Sequence, residues 1–168
     1  TLNVVNELFR LTLSPRRLAA IAAELGADVP FFLAGGTALV EGVGECVTPL
    51  TPLAPSWPLV IVKPATGIST AIAYSALDAL PNRQPGEATA AWLLGGRRCA
   101  NDFEAVVQDV PEIWAAWALL DDAPEREPDT PPRLCGSGSA LFCWVRDHAA
   151  GARLADRARQ AGAGKAWV

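Results

Sequence analysis

Glycine-rich turns join the short apolar segments of this chain, and they limit how those segments can pair. The segments at 37–41 and 45–50 flank the turn Gly42-Val43-Gly44, and those at 133–135 and 140–145 flank a second glycine loop. Strands joined by such short turns run antiparallel, because a parallel pair needs a long crossover. Helical segments lie between these pairs, so we predict an α+β fold rather than a parallel doubly wound sheet.

Helix start and end signals occur between the predicted strands. Ser14 followed by Pro15 is typical of a helix start, and Gly26 is typical of a helix end. Ser69 is predicted to cap a helix that runs to about Leu80. Further helices are predicted over 1–10, 88–94, 101–107, 111–120 and 149–161, a short strand over 59–62 and a last strand over 165–168.

A proline-rich segment divides the chain into two predicted domains. Residues 51–57 contain two prolines, and Pro58 follows directly. Such a segment is typical of a crossover between domains. We therefore predict one domain over 1–52 and a second over 53–168.

Composition and charge exclude several classes of partner and site. The formal net charge is -4 and no run of Lys or Arg occurs, so neither a nucleic-acid surface nor a nucleic-acid partner is expected. No apolar stretch approaches the roughly 20 residues that a membrane-spanning helix needs. The four cysteines form no C-x-x-C pair, and His148 is the only histidine, so no zinc site is expected. Reduced thiols in a cytoplasmic protein are the simplest interpretation.

Asp28 is a candidate proton acceptor. It follows a predicted helix end, and Pro30 restricts the chain two residues later. The neighbouring Val29, Phe31 and Phe32 are expected to desolvate its carboxylate in part. Such an Asp can accept a proton from a substrate hydroxyl during phosphoryl transfer. By local pattern alone, an Asp that caps the next turn is the better explanation.

The segment Gly136-Ser137-Gly138-Ser139 is a candidate phosphate loop. Its two glycines permit backbone conformations in which successive N–H groups converge on a phosphate. It lacks the spacing of a Walker A loop and of a dinucleotide-binding fingerprint. An ordinary hairpin turn explains the segment equally well.

Thr70 and Tyr74 form a candidate binding pair on the helix that Ser69 begins. They are four residues apart and therefore lie on the same side of the helix. The apolar positions that share one face are Ile72, Ala73, Ala76, Leu77 and Leu80. Tyr74 lies off that face, where its ring could stack on a flat base. A partly exposed tyrosine that covers a neighbouring loop fits the pattern equally well.

Three other polar segments are expected to have no part in the chemistry. Lys63 follows a predicted strand and is expected to be solvated, although it could meet an anion. Asn101 with Glu104 three residues later is typical of a capping box. The acidic segment at 121–132 contains four prolines and is expected to be a solvated, mobile loop.

Five segments occur together in one order along the chain: LGADVPFFL (25–33), GGTALVEGVGE (35–45), GISTAIAY (67–74), NDFE (101–104) and GSGSALF (136–142). This ordered set resembles the 4-diphosphocytidyl-2-C-methyl-D-erythritol kinases, a family of the GHMP kinase superfamily. Each segment alone is common. The resemblance covers essentially the whole chain.

The resemblance implies an enzyme and its cofactors. Such a kinase uses ATP and Mg²⁺ to phosphorylate the 2-hydroxyl of its small cytidyl diphosphate substrate, a step of the methylerythritol phosphate route to isoprenoids. The resemblance makes Asp28 the catalytic base and Tyr74 the ring that stacks on cytosine, with Thr70 beside it. It makes Gly136, Ser137, Gly138 and Ser139 the loop that lines the substrate and phosphate region. It assigns no residue of this chain to a metal.

The resemblance also implies an architecture. Residues 1–52 would be the C-terminal part of an S5-like ATP-binding and catalytic domain. Residues 53–168 would be a GHMP C-terminal domain, a ferredoxin-like α/β sandwich. The enzyme would be cytoplasmic, and a homodimer is left open.

Some features that the resemblance implies do not occur between residues 1 and 168. The family's main ATP loop and its catalytic lysine precede the helix with which this chain starts, and the chain contains no Met. We therefore expect a fragment that is inactive by itself and that exposes apolar side chains of its first helix, namely Leu2, Val5, Leu8 and Phe9. Two alternatives stay open: a GHMP kinase for another alcohol, such as mevalonate or homoserine, and a truncated copy that binds a nucleotide-like ligand without turnover.

Overall fold

The chain forms two compact units, Thr1–Pro55 and Ser56–Val168, in a computed structural model. The structure describes residues 1–51, 57–81 and 101–168. The predicted helix over 88–94 lies outside the described residues, as does most of the predicted domain crossover.

The first unit contains three helices and a hairpin among its described residues. These elements are α1 (Leu2–Leu8), α2 (Pro15–Leu25), α3 (Val29–Ala34), β1 (Thr37–Glu41) and β2 (Cys46–Leu50). The Ser14 hydroxyl accepts a hydrogen bond from the backbone N–H of Arg17 at 3.3 Å, which confirms the predicted helix start. The strands β1 and β2 pair antiparallel, with Thr37 opposite Leu50, so the predicted hairpin is also confirmed.

The described part of the first unit buries few side chains. Leu18, Ala22 and Pro30 are its buried residues. On α1 and after it, Leu8 and Phe9 are 72% and 66% exposed. Val5 is also exposed and Leu2 is half-buried, so the prediction that the first helix exposes apolar side chains is confirmed for three of its four residues.

The second unit is built on a four-stranded antiparallel sheet. Its described strands are β3 (Leu59–Lys63), β4 (Arg133–Leu134), β5 (Leu141–Trp144) and β6 (Lys165–Trp167), in the spatial order β4-β5-β3-β6. Its described helices are α4 (Thr70–Asp78), α5 (Glu104–Val107), α6 (Pro111–Asp121) and α7 (His148–Gln160). Every strand pair is antiparallel, as expected for an α+β fold with strands joined through turns.

The central strand β3 carries the core of the second unit. Val60 and Val62 alternate with half-buried residues and are fully buried, because successive side chains of a strand point to opposite faces. Leu154 of α7 and Leu120 of α6 are fully buried in the same cluster. Burial of each such side chain contributes about 1.5–3 kcal/mol, so this layer of helices and sheet stabilises the end of β3, where Lys63 lies.

The acidic segment at 121–132 differs from its prediction. Ala123, Thr130 and Pro132 are buried, and the backbone N–H of Glu127 donates to the Trp144 carbonyl at 2.9 Å. The segment therefore packs against the sheet instead of forming a solvated loop. Its prolines and acidic residues suggested solvation, but the backbone bond to β5 and the apolar contacts order it.

Candidate functional site

The glycine loop at 136–139 has a backbone conformation that most residues avoid. Gly136 and Gly138 have φ values of 56° and 142°, and Ser139 has a φ of 69°. Positive φ is cheap for glycine but strained for serine. A side chain at Gly138 would also lie 3.3 Å from Ile68. The loop therefore has little freedom to accept other residues, and Ser139 is held where serine is rarely found.

Asn101 anchors the start of the loop. Its Nδ2 donates to the Gly136 carbonyl at 2.7 Å and to the Leu134 carbonyl at 3.0 Å, while its Oδ1 accepts from the Phe103 backbone N–H at 3.0 Å. The predicted capping box is wrong, because α5 begins after Phe103 without a side-chain cap. Glu104 does not reach back to Asn101 in the described hydrogen bonds.

Glu104 instead stabilises the strand that leads into the loop. One carboxylate oxygen accepts from the Leu134 backbone N–H at 3.2 Å, and the other pairs with Arg133 at 2.9 Å. Both partners of this ion pair are largely buried, which makes such a contact stronger than a surface pair. The segment 101–104 therefore connects α5 to β4 and to the first residue of the loop.

Thr70 and Lys63 anchor the rest of the loop. The Thr70 and Ser137 hydroxyl oxygens are 3.0 Å apart. Lys63 Nζ donates to the Ser139 hydroxyl at 2.6 Å and to the Pro64 carbonyl at 3.0 Å. The expectation that Lys63 is solvated is wrong, because the ammonium group is engaged by the loop and by its own chain.

Tyr74 lies one turn beyond Thr70 on α4. Its side chain is 54% exposed. Its ring packs edge-on against Phe103, with ring centroids 4.9 Å apart and planes at 88°, a favourable geometry for two aromatic rings. Ile72, which the helical pattern placed on the apolar face, is 66% exposed, so that part of the prediction is wrong. Ala73 and Leu77 form the buried face.

Asp28 belongs to the first unit and lies at the start of α3. It makes no side-chain capping bond to that helix, so the local explanation as a cap is not supported. The residue is exposed, and Phe32 beside it is 75% exposed. The expected partial desolvation of Asp28 is therefore wrong, because the residue is exposed to solvent.

Comparison with known proteins finds similar kinases. No protein-family model matches the chain. A curated 4-diphosphocytidyl-2-C-methyl-D-erythritol kinase of Moorella thermoacetica is 42% identical over 173 residues, which cover 95% of this chain and 59% of that protein. A solved structure of a 4-(cytidine 5'-diphospho)-2C-methyl-D-erythritol kinase has a TM-score of 0.73 and 30% identity, covering 98% of this chain and 59% of that one. The chain is similar to 4-diphosphocytidyl-2-C-methyl-D-erythritol kinases over nearly its whole length.

The chain matches these kinases over only part of their length. A curated relative from Nitrosomonas eutropha is 37% identical over 142 residues, which cover 84% of this chain but 49% of that protein. The chain thus spans between half and three fifths of the length of these curated relatives. The five ordered segments that carried the resemblance all fall within the matched length of the solved kinase, which extends over nearly the whole chain.

Cys135 directly precedes the glycine loop. Its backbone N–H donates to the Ala140 carbonyl at 2.8 Å and closes the base of the loop. Burial raises the pKa of the Cys135 thiol, so the group stays protonated near neutral pH and is a poor nucleophile. Cys135 therefore completes the hairpin and is not a candidate for covalent chemistry.

The described residues contain two further features near this site. A cavity of about 590 Å³ is lined by Leu77, Leu80, Pro81, Asn101, Asp102, Glu104, Ala105 and Gln108, and it includes none of Thr70, Tyr74 or the loop. No group of three or more His, Cys, Asp or Glu side chains suited to a metal ion occurs in the part of the chain that the structure describes. None of the described helices is long and apolar enough to cross a membrane.

Three residues that hold the candidate site in place were not predicted from the sequence. Lys63, Asn101 and Phe103 contact the loop or the Tyr74 ring from distant parts of the chain. Lys63 and Ser139 are 76 positions apart, and Asn101 and Gly136 are 35 apart. The one available signal was that Asn101 and Phe103 fall within a segment, NDFE, that contributed to the resemblance.

Proposed function

We propose that the protein containing this chain uses ATP and Mg²⁺ to phosphorylate the 2-hydroxyl of 4-diphosphocytidyl-2-C-methyl-D-erythritol, in the methylerythritol phosphate route to isoprenoids. The names of its relatives support this, and one observation carries it. The Thr70 hydroxyl contacts Ser137 of the glycine loop at 3.0 Å, while Tyr74, one turn further along α4, keeps its ring exposed. A phosphate loop beside an exposed ring suits a ligand that has both a diphosphate and a base.

The proposed cytosine contact is the ring of Tyr74. Stacking of a base on an aromatic side chain contributes roughly 1–3 kcal/mol. Phe103 packs perpendicular to the ring and restricts its rotation, so less freedom is lost when a base binds. Thr70 on the same side of α4 links this ring to the loop, which would present backbone N–H groups to the phosphates.

Asp28 is proposed as the general base. It would accept the proton of the substrate hydroxyl as that oxygen bonds to the transferred phosphorus and the bond to the leaving nucleotide oxygen breaks. Its carboxylate is not engaged in capping α3, which leaves it available to a substrate hydroxyl. ATP supplies the phosphoryl group and Mg²⁺ offsets the negative charge on it.

The order of the helices and strands supports a proposal for the finer architecture. In the second unit the chain order of the described elements is strand, helices, two strands, helix, strand, and the sheet order is β4-β5-β3-β6. This arrangement supports a ferredoxin-like α/β sandwich as the GHMP C-terminal domain. We propose that the first unit is the remaining part of an S5-like domain and that the enzyme is cytoplasmic, with a homodimer left open.

A panel of acceptor alcohols tests the proposed reaction. The full-length protein is incubated with ATP, Mg²⁺ and either the cytidyl substrate, mevalonate or homoserine, and ADP release is measured. We expect turnover with the cytidyl substrate alone. Preferred turnover of mevalonate or homoserine would contradict the proposed substrate, and would favour the alternative of another GHMP kinase.

Binding of a nucleotide-like ligand without turnover is the second candidate function. The chain spans only part of the length of its relatives, which favours testing this function on the 168-residue chain by itself. Phosphoryl transfer depends on positioning and on charge neutralisation around the phosphates. A chain that spans 59% of the Moorella thermoacetica relative is expected to lack some of the groups that surround the phosphates. We expect no ATP-dependent phosphorylation by the isolated chain, and measurable phosphorylation would contradict this.

A further inference from the structure

Lys63 lies at the end of β3 and makes three contacts with its ammonium group. Nζ donates to the Ser139 hydroxyl at 2.6 Å, to the Pro64 carbonyl at 3.0 Å and to the Thr66 carbonyl at 3.5 Å. An ammonium group has three N–H donors, so these acceptors use all of them. The ion pairs between described residues of the second unit, 57–81 and 101–168, do not include Lys63.

Ser139 is the partner of Lys63 in the glycine loop, and it is held in an unfavourable backbone conformation. The residue is buried, with 1% of its surface exposed, and its φ is 69°. A non-glycine residue adopts this region only where the surroundings hold it there. The hydrogen bond that the Ser139 hydroxyl accepts from Lys63 is a contact that holds this residue from outside the loop.

We propose that Lys63 is a positioning residue for the diphosphate of the ligand, an inference that rests on the proposed function. Its ammonium group holds Ser139 in the left-handed conformation, which sets the direction of the loop's backbone N–H groups. Its positive charge lies next to the loop, at 2.6 Å from the Ser139 hydroxyl, and favours an anion there. Lys63 has no described contact with Tyr74, so its effect is specific to the phosphates and not to the base.

Two probes separate the phosphate from the base: CDP, which carries a diphosphate, and cytidine, which does not. Binding of both to the full-length protein is measured by isothermal titration calorimetry. The main variant is Lys63→Met, which keeps an unbranched side chain but removes the charge and the donors. Because hydrogen bonds to charged groups contribute more than neutral ones, we expect CDP affinity to fall about 10-fold or more and cytidine affinity to stay within about 2-fold.

Lys165→Met is the matched control. Lys165 is the only other lysine of the chain and lies opposite Lys63 in the pairing of β6 with β3, but it is exposed. We expect this variant to bind CDP and cytidine as the wild type does. Lys63→Arg keeps the charge and is expected to retain part of the CDP affinity that Lys63→Met loses.

Ser139→Ala keeps the inference testable if Lys63→Met does not fold. Alanine is still strained at a φ near 69°, but the hydroxyl acceptor for Lys63 is lost, so we again expect a selective loss of CDP affinity. Unchanged CDP affinity in a folded Lys63→Met or Ser139→Ala variant overturns the inference, and so does an equal loss for CDP and cytidine. A wild type that binds neither probe contradicts the proposed function itself, which distinguishes the two failures.

Discussion

The two units of the chain differ in how far their described apolar side chains are buried. In the second unit, Leu120 and Leu154 are fully buried around the sheet. In the first unit, Leu8, Phe9 and Phe32 are each more than half exposed. Because burial of apolar surface is the main favourable term in folding, the second unit has a core of its own, whereas the described part of the first gains little from burial.

The candidate site residues follow the same division. The loop at 136–139 is held by Asn101, Thr70 and Lys63, which come from three separate segments of the second unit. Asp28 in the first unit is exposed and makes no capping bond. A site whose side chains are fixed before the ligand arrives loses less entropy on binding, so the phosphate loop is the better organised part of the proposed machinery.

Removal of the proposed base has the largest expected effect. Asp28→Asn in the full-length protein keeps the size of the side chain but removes its ability to accept a proton. We expect kcat to fall by about 10²–10⁴, with little change in the affinity for CDP, since the contacts proposed for CDP lie in the second unit. Steady-state turnover with the cytidyl substrate measures this, and near-wild-type turnover would show that Asp28 is not the base.

Truncation of one leucine in each unit tests the difference in burial directly. Leu154→Ala removes a fully buried side chain and is expected to cost about 2–5 kcal/mol. Leu8→Ala changes a residue that is 72% exposed and is expected to change stability by less than about 0.5 kcal/mol. Both are measured by urea denaturation of the 168-residue chain. Equal costs at the two positions would mean that the first unit has a core like that of the second.

Loss of the stacking ring has a smaller expected effect, on binding alone. Tyr74→Ala in the full-length protein should raise KM for the cytidyl substrate by an amount equivalent to roughly 1–3 kcal/mol, and leave KM for ATP unchanged. Tyr74→Phe is the matched control, because it keeps the ring and its contact with Phe103. If Tyr74→Ala weakens both substrates together, the residue has a structural role.

The smallest expected effect at neutral pH comes from Cys143, which changes stability only in alkaline solution. Burial raises the pKa of Cys143 from 9.0 to about 12, so above pH 9 the thiol ionises in the unfolded chain while it stays neutral in the folded one. The free energy of unfolding should therefore fall as pH rises from 9 towards 12, by up to about 1.4 kcal/mol per pH unit.

Two cysteine variants check this pH dependence. Cys143→Ala should flatten the slope of unfolding free energy against pH between 9 and 10.5, measured by denaturation at each pH. Cys46→Ala, in which an exposed cysteine of the first unit is changed, should retain the wild-type slope. A wild-type stability that does not decrease over this range would contradict the assigned burial effect.

Local sequence signals predicted the elements that depend on local physics. Ser14 with Pro15 marked the start of α2, and the glycines at 42 and 44 marked the turn between β1 and β2. These signals work because a cap or a turn is made by residues a few positions apart. The ordered motifs also pointed to the kinases to which the chain is similar.

Contacts between distant segments could not be predicted in this way. Asn101 carries a cap-like pattern, but its amide reaches the loop 35 positions away. Lys63 lies at the end of a strand, where lysines are commonly solvated, and no neighbouring residue in the sequence indicates its contact with Ser139. The segment at 121–132 has the composition of a solvated loop, yet its backbone pairs with β5. In each case tertiary contacts outweigh a local preference of about 1 kcal/mol or less.

Identification of the reaction product tests the proposed function most directly. The full-length protein, ATP, Mg²⁺ and 4-diphosphocytidyl-2-C-methyl-D-erythritol are combined, and ³¹P NMR follows the phosphorus signals of the substrate. The expected result is a new phosphomonoester at the 2-hydroxyl oxygen, formed in a one-to-one ratio with ADP and lost in Asp28→Asn. Unchanged substrate, or a phosphate on any other hydroxyl, would contradict the proposed reaction.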